Sequence, residues 1–175
     1  MNTLENIKNR RSVRKFTDTP ISDEALQAIL EAGMAGPSAV NVRPWSFIVV
    51  RDPEMLNKMA DGNGRAAEPL RSATLGIMIL GDLERAWSQA PEYWVIDGTI
   101  ATQNMILAAN ELGIGSVWLG TWPQEEKIAA QREIFQLPDT VVPHSIVAFG
   151  YPDESQKNIP PRGGYEADRV HLEKW

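Results

Sequence analysis

Residues 97–112 (DGTIATQNMILAANEL) most constrain how this chain can fold. The segment reads as a long helix beginning near Asp97 and ending at Gly113, where a glycine suits the left-handed turn that closes helices. Ile100, Met105, Ile106, Leu107 and Leu112 spread over most of its circumference. A helix apolar on nearly every side must be enclosed by other elements. Ala101, Ala108 and Ala109 leave room for a second backbone to approach closely.

The rest of the chain supplies elements to enclose it. Ser22-Asp-Glu-Ala opens a helix with Leu26, Ile29 and Leu30 at helical spacing, and Gly36-Pro37-Ser38 breaks the pattern. Thr3 is a candidate cap for a short helix carrying Leu4 and Ile7, and Pro53 after Asp52 starts another. Trp45–Val50 (WSFIVV), Thr74–Leu80 (TLGIMIL), Ser116–Leu119 and Val141–Phe149 read as strands. Pro123–Phe135 reads as a helix that is acidic first and basic last. No repeat or low-complexity stretch interrupts the chain, and 175 residues suit one domain. The tail is polar and Pro/Gly-rich until Val170, Leu172 and Trp175, a pattern expected of a strand that needs a sheet edge. A segment that leaves its own core is a common route to exchanged dimers.

Composition excludes several chemistries. There is no Cys, which removes thiol nucleophiles, thiolate zinc, iron–sulfur clusters and disulfides. The two histidines, His144 and His171, are 27 residues apart, too few for a histidine-rich metal site; His144 falls in a strand and reads as structural. The start of the chain lacks the apolar run of a signal peptide, and the longest apolar runs, such as Ile77–Leu80, are core-sized. The expectation is a soluble, cytoplasmic protein. A formal charge of −6 argues against nucleic acid or an anionic membrane as partner.

Against that acidic background, Lys8, Arg10, Arg11, Arg14 and Lys15 face only Glu5 in the first 15 residues, a local net of +4. Such a cluster is either a solvated helix end or a set of forks converging on an anion such as phosphate. No P-loop, GxSxG or HExxH is present. Gly113-Ile-Gly115 is not a dinucleotide fingerprint, because position 118 is Trp and the motif follows a helix. A protein with this inventory, if it performs hard chemistry at all, must borrow it from a cofactor.

Four blocks in order resemble the FMN-dependent nitroreductases, specifically their short single-domain members. They are Arg10-Arg-Ser-Val-Arg-Lys-Phe16; Pro37-Ser-Ala-Val-Asn-Val-Arg-Pro-Trp45; Asp97 with Ala101-Thr-Gln-Asn-Met105 running into Gly113-Ile-Gly-Ser-Val-Trp-Leu-Gly120; and Pro160-Pro-Arg162 with Val170-His and Trp175. The resemblance implies an α+β fold, a mostly antiparallel sheet flanked by helices, in an interlocked homodimer. FMN would lie at the subunit interface and NAD(P)H would be the electron donor. Residues 97–112 would be the central dimer helix, and 169–175 an arm pairing with the partner subunit.

The resemblance also assigns roles. Arg10 and Ser12 would grip the FMN phosphate, and Arg14 would face the pyrimidine edge, where a cation stabilises the electron-rich reduced ring. Arg11 lies in the same motif. Pro37, Ser38 and Asn41 would reach the flavin of the other subunit. Leu119, Gly120 and Thr121 would bring a backbone N–H to flavin N5. Arg162, with Lys157, would return to the phosphate. Trp45 and Trp118 are expected in packing roles. Arg43 departs from the Gln that many members carry, and Asn63 and Arg65 in the polar stretch Asp61–Glu68 are pocket candidates without a placement. The implied reaction is reduction of a nitroaromatic, quinone or other small electrophile in two half-reactions. The alternatives are reductive dehalogenation or azoline oxidation on the same scaffold, or a non-catalytic flavin-binding or sensory protein.

Overall fold

The computed structural model describes residues 2–156, 160 and 163–175. Nine regular elements follow one another: α1 (Thr3–Asn9), α2 (Asp23–Met34), β1 (Trp45–Val50), α3 (Pro53–Asn63), β2 (Leu75–Asp82), α4 (Tyr93–Glu111), β3 (Gly115–Gly120), α5 (Glu125–Phe135) and β4 (Val141–Gly150). The strands form one sheet of order β1-β2-β4-β3 with every pairing antiparallel. The fold is therefore α+β, as expected.

Helices cover both faces of the sheet, so β2 carries apolar residues without alternation. Leu75, Ile77 and Ile79 join Val147 and Phe149 on one face and meet Ile29 of α2 and Met105, Ile106 and Ala109 of α4. Met78, Leu80, Val117, Leu119 and Ile146 look the other way, onto Leu56 and Met59 of α3 and Leu70 of a 3-10 segment, Arg65–Ser72. No helix among the described residues is long and apolar enough to cross a membrane.

Local chemistry sets most helix ends. Ser22 accepts from the Ala25 N–H and Asp52 from the Met55 N–H. Gly113, at φ +74°, follows α4, and the Ile114 N–H closes back on the Ala109 carbonyl at 2.9 Å. Helix α1 corrects the sequence expectation. Its cap is Asn2, in a reciprocal capping box with Glu5, and Thr3 is already helical.

Helix α4 also departs from expectation. It begins at Tyr93, four residues before Asp97. Asp97 resembled a cap, but its carboxylate answers a backbone N–H from a distant loop. The expected all-round burial is incomplete in one chain. Within 97–112, Ala101, Met105, Ile106 and Ala109 are buried but Leu112 is exposed, and in the added first turn Trp94 is buried while Tyr93 and Ile96 are exposed. The tail differs as well. Residues 163–175 form no strand; Ala167–Arg169 makes one 3-10 turn, and Val170, Leu172 and Trp175 are exposed. Among the described residues these side chains pair with no strand of their own chain.

Candidate functional site

The basic N-terminal motif is laid along the sheet edge by main-chain pairing. Ser12 bridges Ser116 at the start of β3, and the Val13 N–H donates to the Ser116 carbonyl at 2.9 Å. Phe16 bridges Pro152 just beyond β4, and the Thr17 N–H donates to Tyr151 at 2.9 Å. Val13 and Phe16 are buried over two glycines. A Cβ on Gly115 would stand 2.8 Å from Val13 Cβ, and one on Gly150 would stand 2.7 Å from Phe16 Cβ. Glycine at these positions lets the segment sit against the strands. With positions 13 and 16 turned inward, Arg14 and Lys15 face solvent.

Arg14 and Lys15 line a cleft of about 670 Å³. Arg65 and Pro69 of the 3-10 segment form another wall, the β3 residues Val117–Gly120 are also part of the lining, and Gln156 accepts from the Arg14 N–H at 3.1 Å. The Arg14 guanidinium reaches back to the Ser12 carbonyl at 3.3 Å. At the strand end, no atom lies within 4 Å of where a Gly120 Cβ would be. Open space at a bare backbone, an apolar strand and three cationic side chains, against one lining carboxylate, Glu68, which is itself paired with Arg71, suit a flat ligand that carries negative charge. FMN matches that description, and the residues present fit it.

The structure sorts the expected site residues into groups. Arg14, Leu119 and Gly120 share the cleft, with Leu119 buried. Thr121 is adjacent, but its buried hydroxyl donates to Asn63 Oδ1 at 2.8 Å. Ser12 lies along the same edge. Arg10 lines a neighbouring groove with Ile7, Lys8, Gly163, Gly164 and Tyr165. Arg11 acts as a staple: its guanidinium donates to the carbonyls of Lys8 at 2.7 Å, Arg10 at 2.5 Å and Pro160 at 2.7 Å. Lys157 and Arg162 lie outside the described residues.

Pro37, Ser38 and Asn41 do not line the Arg14 cleft. Their loop packs on α4, where the Ala39 N–H donates to Asp97 Oδ1 at 2.9 Å. Ser38 Oγ accepts from the Arg43 N–H at 2.9 Å, and Arg43 Nε donates to Asn41 Oδ1 at 3.0 Å. Val40, Asn41 and Arg43 all hold positive φ, at 40°, 60° and 50°. For a β-branched residue such as Val40 this conformation is strained, so the loop's bonds must hold it. Asp97 is 2% exposed, burial pushes its carboxyl above the usual range, and its Oδ2 lacks a partner among the described residues. Arg43 lines a second cleft of about 500 Å³ with Arg85 and the apolar residues Leu30, Met34, Trp45 and Phe47.

His144 is structural, as its strand position suggested. Its Nε2 lies 3.1 Å from the Val95 carbonyl, which can only accept, so Nε2 carries the proton and Nδ1 takes the Ser145 hydroxyl at 3.0 Å. Trp94 and Trp118 stand edge-on to the ring. Burial lowers its pKa to about 4. Trp118 combines this packing with a place in the cleft lining.

Sequence reasoning missed Lys15 as a cleft residue, although it sits inside the basic motif. It flagged Arg65 and Asn63 without placing them. Arg65 lines the cleft, and Asn63 is fully buried beneath it, binding Gly120. A buried Asn inside a polar stretch carries no periodic signal.

Comparison with known proteins matches this chain to the family model described as the nitroreductase family, over residues 7–75 and 63–151. It is 43% identical over 175 residues to a Methanothermobacter thermautotrophicus protein named "Putative NADH dehydrogenase/NAD(P)H nitroreductase", covering 100% of this chain and 88% of that one. Its fold resembles an FMN-dependent nitroreductase from Clostridium difficile at TM-score 0.89 and 29% identity, covering 99% and 100% of the two chains. It also resembles the NADPH:FMN oxidoreductase of Vibrio harveyi, solved with NAD+, at TM-score 0.86 and 29% identity, covering 100% of this chain and 78% of that one. On the matched residues, the shared fold and the length of the alignment, this chain belongs to the nitroreductase family.

Proposed function

We propose that the protein, an NAD(P)H-dependent oxidoreductase with FMN as cofactor, reduces nitroaromatics, quinones or similar small electrophiles in the Arg14–Gly120 cleft. The observation that carries this reading is the meeting of Arg14 with the open strand end at Gly120, beside Val117 and Leu119. When bound, FMN supplies hydride chemistry, taking two electrons from the nicotinamide and delivering them to the acceptor.

The protein contributes position, charge and exclusion of water. Arg14 is assigned to the pyrimidine edge, where its charge stabilises the electron-rich state. The strand end Leu119–Thr121 is assigned as backbone donor toward flavin N5. Arg10 and Ser12, with Lys157 and Arg162, are assigned to the phosphate. Arg11 sits in the motif as the staple that holds this turn to the Pro160 segment. Val117, Trp118 and Leu119 give the cleft an apolar wall against which a flat ring would displace water. No side chain is required as general acid, since solvent can supply protons.

The functional unit in this reading is a homodimer, with residues 1–175 forming one FMN-binding domain per chain. The exposed Tyr93 and Ile96 of α4 and Leu112 just after it, together with Leu4 and Ile7 of α1, are apolar surface that a second copy would cover. Pro37, Ser38 and Asn41 sit away from the Arg14 cleft, which suits a turn that serves the partner's flavin. Residues 169–175 would complete the exchange by pairing with the partner's sheet.

The test is the identity of the flavin. Heat release and chromatography should give one FMN per chain after reconstitution. FAD, or no flavin under any loading condition, would overturn the reading; tight FMN that no nicotinamide reduces would make the protein a binding module.

A further inference from the structure

The cleft presents its most mobile type of residue where it needs the most precision. Gly120 is the last residue of β3, an edge strand, and it is exposed. A glycine at a strand end has the widest conformational freedom of any residue. Yet its carbonyl receives two donors, Asn63 Nδ2 at 3.2 Å and Lys127 Nζ at 3.2 Å. The amide of Asn63 is held in turn, because Thr121 Oγ donates to Asn63 Oδ1 at 2.8 Å. Asn63 and Thr121 are both fully buried. Three elements therefore converge on one peptide unit: the end of α3, the start of α5 and the residue after β3.

We propose that Asn63 and Lys127 are positioning residues that lock the Gly120–Thr121 peptide and bias the cleft toward the electron-rich form of its ligand. The inference rests on the FMN reading above. The lock comes from geometry. With the carbonyl bonded by a part-buried amide and an exposed ammonium, and the next side chain tied to Asn63 by a buried bond, the peptide cannot rotate without breaking these bonds, so part of the cost of ordering is met before a ligand arrives. The bias comes from charge. A carbonyl oxygen near the cleft would oppose negative charge building up there. An ammonium on that oxygen compensates its partial charge and strengthens the N–H of the same peptide as a donor. A ligand that gains electrons benefits more than the same ligand oxidised.

The test compares Lys127→Met, Lys127→Arg, Thr121→Val and Asn63→Ala with the parent protein. Two quantities are read: affinity for oxidised FMN with the two-electron potential at saturating FMN, and amide hydrogen exchange at 119–122 in the flavin-free protein. Lys127→Met should change oxidised-FMN affinity less than about threefold. It should weaken the reduced form relative to the oxidised by about three- to tenfold, a fall of about 15–30 mV at roughly 30 mV per tenfold. Lys127→Arg should restore the parent potential. Thr121→Val and Asn63→Ala should speed exchange at 120 and 121 by about tenfold or more. An unchanged potential in Lys127→Met, an arginine variant that behaves like methionine, or unchanged exchange in Thr121→Val would overturn the proposal. Should Asn63→Ala fail to fold, the other variants still decide. Should the parent bind no flavin, the FMN reading fails, while the exchange measurement still judges the clamp.

Discussion

Acid should destabilise this protein through His144 in a way that one substitution can isolate. The imidazole is 5% exposed, and burial holds its pKa near 4. In the unfolded chain it returns to about 6.5. Between those values the unfolded state binds a proton that the folded state refuses, so stability rises with pH in that window and is lost as pH falls through it. At about 1.4 kcal/mol per unit, the loss relative to pH 7.5 is about 2 kcal/mol at pH 5 and about 3 kcal/mol at pH 4. Carboxylates add their own acid sensitivity, so the informative quantity is the difference between the parent and His144→Gln. Glutamine cannot titrate, although it loses the edge contacts with Trp94 and Trp118. Urea unfolding at fixed protein concentration, at pH 7.5 and pH 5, gives the comparison. The parent should begin more stable, and its advantage should shrink by about 2 kcal/mol on acidification. Parallel losses in the two proteins would refute a buried neutral His144.

Three further outcomes are expected. Gly115→Ala should destabilise by about 1–3 kcal/mol in urea, because the new methyl drives into Val13, and it should lower FMN affinity by displacing the Arg14 segment. Arg10→Ala should weaken FMN binding and leave the potential nearly unchanged. Arg14→Ala should also lower the potential by a few tens of millivolts, since a hydrogen bond to a charged group contributes about 1.5–3 kcal/mol and roughly 30 mV corresponds to 1.4 kcal/mol; equal potentials in the two variants would contradict the assignment of Arg14. Deleting 169–175 should weaken both dimer and flavin retention, as read by sedimentation and flavin release, and a truncated protein that keeps both would remove the arm from the account.

The elements whose signals are local were legible in the sequence. Ser22 and Asp52 cap as their types suggest, and Gly113 ends α4 because only a residue at ease with positive φ fits there. The TLGIMIL run is a strand within a residue of its expected start. What failed were positions whose partners are distant in sequence. Asp97 carries a cap's chemistry, but it serves the Ala39 N–H of the Gly36–Asn41 turn, so the helix continues past it toward Tyr93. Arg11 lies in the basic motif, and its bonds to the carbonyls of Lys8, Arg10 and Pro160 carry no signal in the sequence. Asn63 acquires its role only when α3 brings it beneath Gly120. The tail's alternation was visible, but among the described residues it forms no strand with its own chain.

The most direct measurement is anaerobic titration of the FMN-loaded protein with NADH and with NADPH, followed by addition of a nitroaromatic or a quinone. The account predicts that one of the nicotinamides bleaches the bound flavin's visible absorbance and that the acceptor restores it, with stoichiometric product and repeated turnover. A flavin that stays bound and oxidised in the presence of both nicotinamides would contradict it.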